Sequence, residues 1–198
     1  MWRIWKRPKL EDLIVDLSVY VKEIERTKQK YERRAEELYR KAKKAAIEGN
    51  EFRAKTYIRQ RLQCDKTAFA LDMFTINMEQ LIFELRNAKG VEAIGQCLGK
   101  ISRSLDRLKL LNVSGITSII GKVQSQMERI GLSTESIFNA IKDYEPFRIE
   151  SLSEDEVDKE YERMLAEIAV EAPKAPEVER KIEELEKKRE EFKVKKED

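Results

Sequence analysis

The sequence predicts an all-α protein, with a long antiparallel helical hairpin, shorter helices packed against it, and a flexible acidic C-terminal tail. Three observations support this fold class. No proline lies between Pro8 and Pro146, so nothing in that stretch forces a helix to break. Charged residues make up 39% of the 198 residues, a share that suits long solvent-exposed helices. Apolar residues recur at helical spacing along most of the chain.

The hairpin is predicted to span about residues 9–87, with helices at about 9–47 and 51–86. Apolar steps of three, four and seven form a stripe on the first helix, namely Leu10, Leu13, Leu17, Val21, Ile24, Tyr31, Leu38, Ala42 and Ala45. The stripe predicted for the second helix is Ala54, Ile58, Leu62, Phe69, Met73, Ile76 and Phe83. Between the two helices, Gly49 suits a C-cap and Asn50 an N-cap, and so short a turn makes the helices antiparallel.

Three more helices are predicted, at about 91–111, 116–142 and 154–169. The last begins with Ser153 as N-cap and carries Val157, Tyr161, Leu165 and Ile168 as its apolar face. The chain therefore divides into an N-terminal peptide at 1–8, a helical core at 9–145 and an acidic regulatory tail at 146–198.

Charge is distributed unevenly along the chain. Residues 1–142 contain 28 Lys and Arg against 18 Asp and Glu, a net charge of +10, whereas residues 143–198 carry a net charge of −8. A basic body joined to an acidic tail indicates an anionic partner for the body, and a tail able to fold back on it.

The composition also argues against catalysis and metal binding. The chain has no His, and its two cysteines, Cys64 and Cys97, are too far apart for a zinc motif. No phosphate-binding loop or hydrolase motif occurs. We therefore expect no enzyme activity, no metal and no cofactor, and we expect both cysteines to be buried in a reducing cytosol.

Any membrane contact is expected to be peripheral. No stretch approaches the length of apolar chain that crosses a bilayer, and Met1 to Pro8 is too short and too charged for a signal peptide. A soluble intracellular protein is therefore predicted.

Two groups of residues are candidates for binding an anionic membrane. The N-terminal octapeptide alternates large apolar side chains with basic ones, in Trp2, Arg3, Ile4, Trp5, Lys6 and Arg7. Trp favours the bilayer interface and cations favour an anionic leaflet. The second group lies on the basic face of the first helix, and comprises Arg33, Arg34, Arg40, Lys41, Lys43 and Lys44.

Other interpretations of these residues stay open at this point. Trp2 and Trp5 could instead pack on the hairpin or on a neighbouring subunit, and a run of charges is most often a solvated helix face. The whole chain could also be a coiled-coil scaffold that binds proteins alone. A basic helical nucleic-acid binder is a further alternative, although no aromatic-basic platform or helix-turn-helix pattern supports nucleic acid as the partner.

Several stretches together resemble the Snf7/CHMP family, the subunits of ESCRT-III, and in particular its archaeal CdvB-type cell-division proteins. Ala45 to Arg59 resembles the hairpin turn of that family, with its Gly-Asn pair. Gly99 to Leu108 and Asn112 to Glu128 are similar to its third helix and the start of its fourth. Glu154 to Ala169 is similar to its acidic fifth helix.

The resemblance implies how the protein acts. Family members alternate between a closed monomer, with acidic C-terminal elements folded on the basic core, and an open form that polymerises with copies of itself and with other ESCRT-III subunits. The filaments bind anionic membrane on its cytosolic face, and constrict or cut membrane necks in cell division, vesicle release or repair. An AAA ATPase with an MIT domain is the implied partner of the C-terminal tail, so Val157, Tyr161, Leu165 and Ile168 are expected to serve as an autoinhibitory or MIT-binding helix.

Overall fold

The computed structural model describes residues 9–131, 134–148 and 151–171, and all regular structure within these ranges is helical. This confirms the predicted all-α class. The helices are α1 (Leu10–Ile47), α2 (Glu51–Asn87), α3 (Val91–Leu108), α4 (Ile116–Arg129), α5 (Thr134–Ala140) and α6 (Glu154–Glu171), with a 3₁₀ turn at Lys109–Leu111. The predicted flexible tail beyond α6 lies outside the described residues.

The predicted N-cap of α2, Asn50, is confirmed, whereas the C-cap of α1 is Glu48 and the predicted Gly49 follows it. Gly49 adopts a left-handed conformation with φ of +75°, and the Asn50 side chain accepts a hydrogen bond of 3.0 Å from the backbone N–H of Arg53. Lys28 on α1 forms an ion pair of 2.6 Å with Asp72 on α2, a pairing that requires antiparallel helices. With 38 residues, α1 is about 57 Å long. The hairpin is therefore a rod.

The main core lies at the end of the rod away from the turn. There the first half of α1 and the second half of α2 pack with α3, α4, α5 and the segment after α5. Its largest fully buried side chains include Leu13, Leu17, Ile24, Leu71, Phe74, Met78, Leu85, Leu98, Ile101, Leu105 and Leu108. The apolar stripe predicted for α1 is buried or half-buried along its length, so the period near 3.5 identified the packed face of this helix correctly.

The stripe predicted for α2 is correct near the turn and wrong beyond it. Ala54 and Ile58 are buried and Leu62 is half-buried. Phe69, Met73, Ile76 and Phe83, however, face outward and are 38–67% exposed. The residues that α2 buries in this half are instead Leu71, Phe74, Met78, Leu81, Ile82 and Leu85. The second half of α2 is apolar on more than one side, and contacts with α1 and α3 decide which side is buried.

One long helix over residues 116–142 was also a wrong prediction. Gly131 takes a positive φ of +71°, which ends α4 at Arg129, and α5 begins at Thr134. The break turns the chain so that Ile137 and Ile141 pack against α3. Both side chains are buried, as their place on the predicted stripe requires.

A dense set of contacts holds the segment after α5 to α3. The Arg103 guanidinium donates hydrogen bonds to the backbone carbonyls of Phe138, Ile141, Lys142 and Tyr144, with distances of 3.1 Å to Phe138 and 3.2 Å to Tyr144. Phe138 lies in the last turn of α5, where carbonyls lack intrahelical partners, and the other three carbonyls follow that helix. Nearby, the Tyr144 hydroxyl donates to Asn77 Oδ1 at 2.7 Å and lies 2.9 Å from the Ser104 hydroxyl.

Both cysteines are buried and free, as predicted. Desolvation by burial raises the pKa of each thiol above its usual value. Cys64 lies beside Ala35 and Leu38 in the middle of the hairpin, whereas Cys97 belongs to the main core.

Gly99 should tolerate a methyl group poorly, because a Cβ there would overlap the Ile137 side chain, whereas a Cβ at Gly121 meets open space. Gly99→Ala and Gly121→Ala gain the same helix propensity. The difference between their free energies of unfolding therefore measures the cost of the overlap with Ile137. We expect Gly121→Ala to raise the free energy of unfolding by up to about 1 kcal/mol. The free energy of unfolding of Gly99→Ala, measured by urea denaturation, should be about 1–3 kcal/mol lower than that of Gly121→Ala. Equal stability of the two variants would show that α5 does not pack on Gly99.

Candidate functional site: an acidic helix on the cationic hairpin

Helix α6 starts at a complete capping box. The Ser153 hydroxyl accepts a hydrogen bond from the backbone N–H of Glu156 at 3.3 Å, and Glu156 Oε2 accepts one from the backbone N–H of Ser153 at 2.8 Å. Glu154, Asp155 and Glu156 fill the first turn, where the helix dipole favours negative charge. The predicted N-cap is therefore confirmed, and α6 begins where its sequence indicates.

Acidic side chains of α6 lie on basic side chains of both hairpin helices near the turn. Five ion pairs connect them: Lys43 with Glu167 (2.9 Å), Lys55 with Asp158 (2.9 Å), Lys66 with Glu156 (2.8 Å), Arg59 with Glu154, and Arg61 with Glu160. This cation set is dispersed over residues 43–66, and the helices bring it to one surface. Of these five cations, Lys43 alone was among the residues predicted to bind membrane. The other four lie on α2, and the charge pattern of the sequence does not divide the cations of the hairpin into faces.

Two apolar side chains of α6 are fully buried beneath it. Val157 is 1% exposed and Met164 is 0% exposed. They belong to a small core that is separate from the main one, and its buried hairpin members are Ala42, Ala45, Ala54 and Ile58. Three of these four residues are alanines, so the hairpin presents a shallow surface into which longer side chains from α6 fit.

The apolar face predicted for α6 needs one correction. Val157 is buried, and Tyr161 and Ile168 are half-buried against the hairpin, but Leu165 points outward and is 40% exposed. Met164 takes the place that Leu165 was expected to fill. Steps of four, three and four residues, through Val157, Tyr161, Met164 and Ile168, describe the observed face, whereas the predicted face used steps of four, four and three. Both patterns fit a helix, so spacing alone could not choose between adjacent apolar residues.

The apolar contacts contribute more to this docking than the charges. Burying a side chain such as Val157 or Met164 contributes roughly 1.5–3 kcal/mol. Ion pairs at partly exposed sites contribute about 0.2–1 kcal/mol each and weaken with salt. The charges mainly fix the position of α6 along the hairpin. The apolar pair therefore keeps α6 docked, while the ion pairs make its docking sensitive to ionic strength.

The pKa of Glu156 also ties the docking to pH. The hydrogen bond from Lys66, together with those from Ser153, lowers the pKa of this carboxyl to about 2. A carboxyl whose folded-state pKa is depressed stabilises the fold above its unfolded pKa of about 4.5, and loses that contribution as pH falls towards 2. At neutral pH this contact is fully formed.

Tyr39 anchors the far end of α6. Its hydroxyl donates a hydrogen bond to Glu167, which also accepts one from Lys43 Nζ at 2.9 Å. Desolvation, and then the hydrogen bond to Glu167, raise the pKa of Tyr39 to about 12. The Arg61 guanidinium lies 4.2 Å from the centre of the Tyr39 ring, a cation–π contact. One aromatic side chain thus connects α1, α2 and α6.

The predicted membrane-binding cations fall into two groups in the structure. Arg33, Arg34, Arg40, Lys41 and Lys44 are exposed on α1. Lys43 differs from them, because its side chain is only 21% exposed and is bound to Glu167. The other candidates, Trp2, Arg3, Ile4, Trp5, Lys6 and Arg7, lie outside the described residues.

Comparison with known proteins identifies the family. The described helices include none that is long and apolar enough to cross a bilayer, and the described residues contain no cluster of metal-binding side chains. No curated protein and no solved structure gives a significant match. The family model for Snf7 matches residues 13–182, which is most of the chain and includes every helix from α2 to α6. The chain therefore belongs to the Snf7 family of ESCRT-III proteins, structural subunits that form polymers and remodel membranes.

Proposed function

We propose that this protein is a filament subunit that polymerises on anionic membrane, with copies of itself and with other ESCRT-III subunits, to constrict or cut membrane necks. The proposed setting is cell division of the archaeal CdvB type or vesicle release, on the cytosolic face of the membrane. The observation that carries the proposal is the docking of acidic α6 across the cationic tip of the hairpin. In this arrangement the monomer is closed. Ions that displace the ion pairs between α6 and the hairpin, together with assembly, open it.

The size of the docking contact supports a role as a latch. The two buried apolar side chains contribute roughly 3–6 kcal/mol and the ion pairs add a smaller, salt-sensitive amount. The conformational entropy lost when α6 is ordered opposes these contributions, so the net stability of docking is within the range that a partner or a surface can overcome. When α6 leaves, it exposes five cations together with the apolar surface around Ile58. A neighbouring subunit can then bind that surface, so release of α6 and growth of the filament are coupled.

The proposed contact with an ATPase depends on the same helix. Val157, Tyr161 and Ile168 lie against the hairpin when α6 is docked. An MIT domain that binds this face of α6 therefore competes with the hairpin for it. We expect an AAA ATPase carrying such a domain to bind subunits whose α6 is released, and to extract them from the filament.

Opening of α6 should promote assembly, and adjacent residues allow a matched test. Met164→Glu places a charge in the buried pocket, whereas Leu165→Glu places the same charge on the outer face of the same helix. We expect Met164→Glu, like deletion of residues 151–198, to increase the fraction of protein that sediments with phosphatidylserine vesicles and to produce filaments in negative stain. Leu165→Glu should behave as the parent chain does.

Two results would contradict the latch. One is a deleted chain that stays monomeric on anionic vesicles, and the other is equal assembly of the Met164 and Leu165 variants. Duplex DNA added in place of vesicles provides the control for the alternative partner. Filaments that form on DNA and not on lipid would assign the cationic surface to nucleic acid.

The N-terminal peptide is proposed to insert into the interface of the bilayer. Replacing Trp2 and Trp5 together by Ala removes two large interfacial side chains, each of which contributes at most about 1.5–3 kcal/mol when buried. We expect weaker co-flotation with anionic vesicles and unchanged helicity by circular dichroism, because α1 begins after this peptide. Equal co-flotation of the double variant and the parent chain would reject insertion and favour packing of the two rings against protein.

A further inference from the structure

Part of the outward surface of α2 is apolar and exposed. Beyond the site of α6, large side chains follow one another in steps of four and three residues on one face of the helix. Phe69, Ile76 and Phe83 are 58%, 55% and 67% exposed, and Met73 is 38% exposed. Together with Gln80, which is also exposed, they form a single row that we call the outer row of α2. Four large apolar side chains in one row exceed the scattered exposure of an ordinary surface, and indicate that another element covers them.

The outer row continues the surface on which α6 lies. On the same face of α2, towards the turn, Lys55, Arg59 and Lys66 pair with acidic residues of α6, and Leu62 packs in the small core beneath it. These residues also follow steps of four, three and four, and Phe69 comes three residues after Lys66. The face of α2 that α6 covers near the turn is therefore the same face that lies open beyond Lys66.

The chain beyond α6 contains a segment with the same pattern, and this segment lies outside the described residues. Between Glu177 and Phe192 every residue is charged except four apolar ones, Val178, Ile182, Leu185 and Phe192. Steps of four, three and seven residues separate these four, and the same steps separate the apolar members of the outer row. A helix over residues 178–192 would be about 21 Å long, which is also the length of the outer row. So narrow an apolar side stabilises a helix only when another surface packs against it.

Placed in parallel, the two rows match at every position. Val178, Ile182, Leu185 and Phe192 then lie opposite the four apolar members of the outer row, in the same order, as in the a and d positions of a two-stranded coiled coil. Gln80, the one polar member of the outer row, lies opposite Arg189, so that two polar groups meet. In the antiparallel direction Arg189 would lie against an apolar side chain. The pattern therefore favours parallel helices in a single register.

The length of the connecting chain favours the same direction. Helix α6 ends beside Tyr39, whose ring packs against Arg61 of α2. From that end, the chain to Val178 spans at most about 25 Å. Phe69 is about 12 Å from Arg61 along α2, whereas Phe83 is about 33 Å away. Val178 can therefore reach the start of the outer row but not its end.

Charges beside the two rows are compatible with this register. Acidic residues of α2 lie next to lysines of the segment in two pairs, Glu79 with Lys193 and Glu84 with Lys188. Nearer to α6, Asp65 and Asp72 would lie next to glutamates of the segment. Each of them is already paired with a hairpin cation, Asp65 with Arg61 at 3.3 Å and Asp72 with Lys28 at 2.6 Å. Neither therefore presents an uncompensated negative charge to the segment.

We propose that residues 178–192 form a helix that packs in parallel on the outer row of α2, so that the chain covers this row itself. The contact does not depend on the proposed function, because it would hold in a monomer that binds no lipid and forms no filament. It adds to the docking of α6 a second attachment on the same face of α2. Since docked α6 brings the segment close to Phe69, release of α6 lengthens the connection and weakens the second contact.

Photocrosslinking tests the partner and the direction together. The full chain is prepared as Phe69→benzoylphenylalanine and as Phe83→benzoylphenylalanine, two conservative changes at exposed sites. Val19→benzoylphenylalanine, at a position of α1 that is 52% exposed, is the control. After illumination of the monomer, mass spectrometry should locate crosslinks from position 69 near Val178 and from position 83 near Phe192. Position 19 should give no crosslink to the segment.

The other outcomes of this experiment would overturn the inference. Crosslinks in the reverse order would refute the parallel register, and crosslinks that join two chains would assign the outer row to a second copy of this protein. The absence of crosslinks from positions 69 and 83, or equal crosslinking from position 19, would show that the segment does not pack on the row. None of these results decides whether the chain polymerises on anionic membrane, so the proposed function is tested separately.

Trypsin provides a second test, which measures how accessible the segment is in the full chain. Ile76→Glu places a charge in the middle of the outer row, and Val19→Glu places the same charge at an aliphatic residue of α1 with similar exposure, 52% against 55%. Cleavage follows the population of the open form when opening is fast. We therefore expect cleavage after Lys187 to be severalfold faster in Ile76→Glu than in the parent chain, and unchanged in Val19→Glu.

Two results of the trypsin experiment would contradict the contact. Equal rates in all three chains would show that the outer row does not protect the segment. Protection of the parent chain that appears only when phosphatidylserine vesicles are added would assign the row to lipid.

Discussion

The structure depends on the two-residue turn at Gly49 and Asn50. Gly49 provides the left-handed conformation that ends α1, and the Asn50 side chain caps the first turn of α2. Two helices of nearly equal length must then run back along each other. A pair of helices buries one stripe on each, which leaves most of the surface of a long rod open to other elements. The shorter helices and α6 use part of that surface, at opposite ends of the rod.

The two ends of the rod are packed by different means. Away from the turn, large aliphatic and aromatic side chains from five helices fill a core of ordinary kind. Near the turn, alanines line the hairpin and α6 supplies the larger side chains, with ion pairs around them. The two clusters share no buried residue, so the contacts of α6 involve no buried member of the main core. The fold thus separates the main core from the surface on which α6 docks.

The sequence predicted the helix class, the hairpin turn, the packed stripe of α1 and the N-cap of α6 because each of these depends on residues close together in the chain. The stripe of α2 beyond residue 69 was wrong because that helix is apolar on several sides, and α1 and α3 choose the side. Met164 and Leu165 are adjacent and both apolar, so the hairpin surface decides which of the two is buried. The break at Gly131 depends on a local conformation that one glycine permits but does not require. Some cations lie under α6 and others lie on the outer face of α1. Which of the two places a cation takes depends on how its helix is rotated about its own axis, and packing in the hairpin core sets that rotation.

The burial of both native sulfhydryls has a practical consequence for labelling. Alkylating reagents attack the thiolate, and a raised pKa combined with little solvent contact slows that reaction at Cys64 and Cys97. A cysteine engineered on the surface would react first with a maleimide dye, so both native residues can be kept in place. Slow modification that appears at Cys64 would in turn report a separation of α1 from α2 in the middle of the rod, a motion that a probe on α6 would not detect.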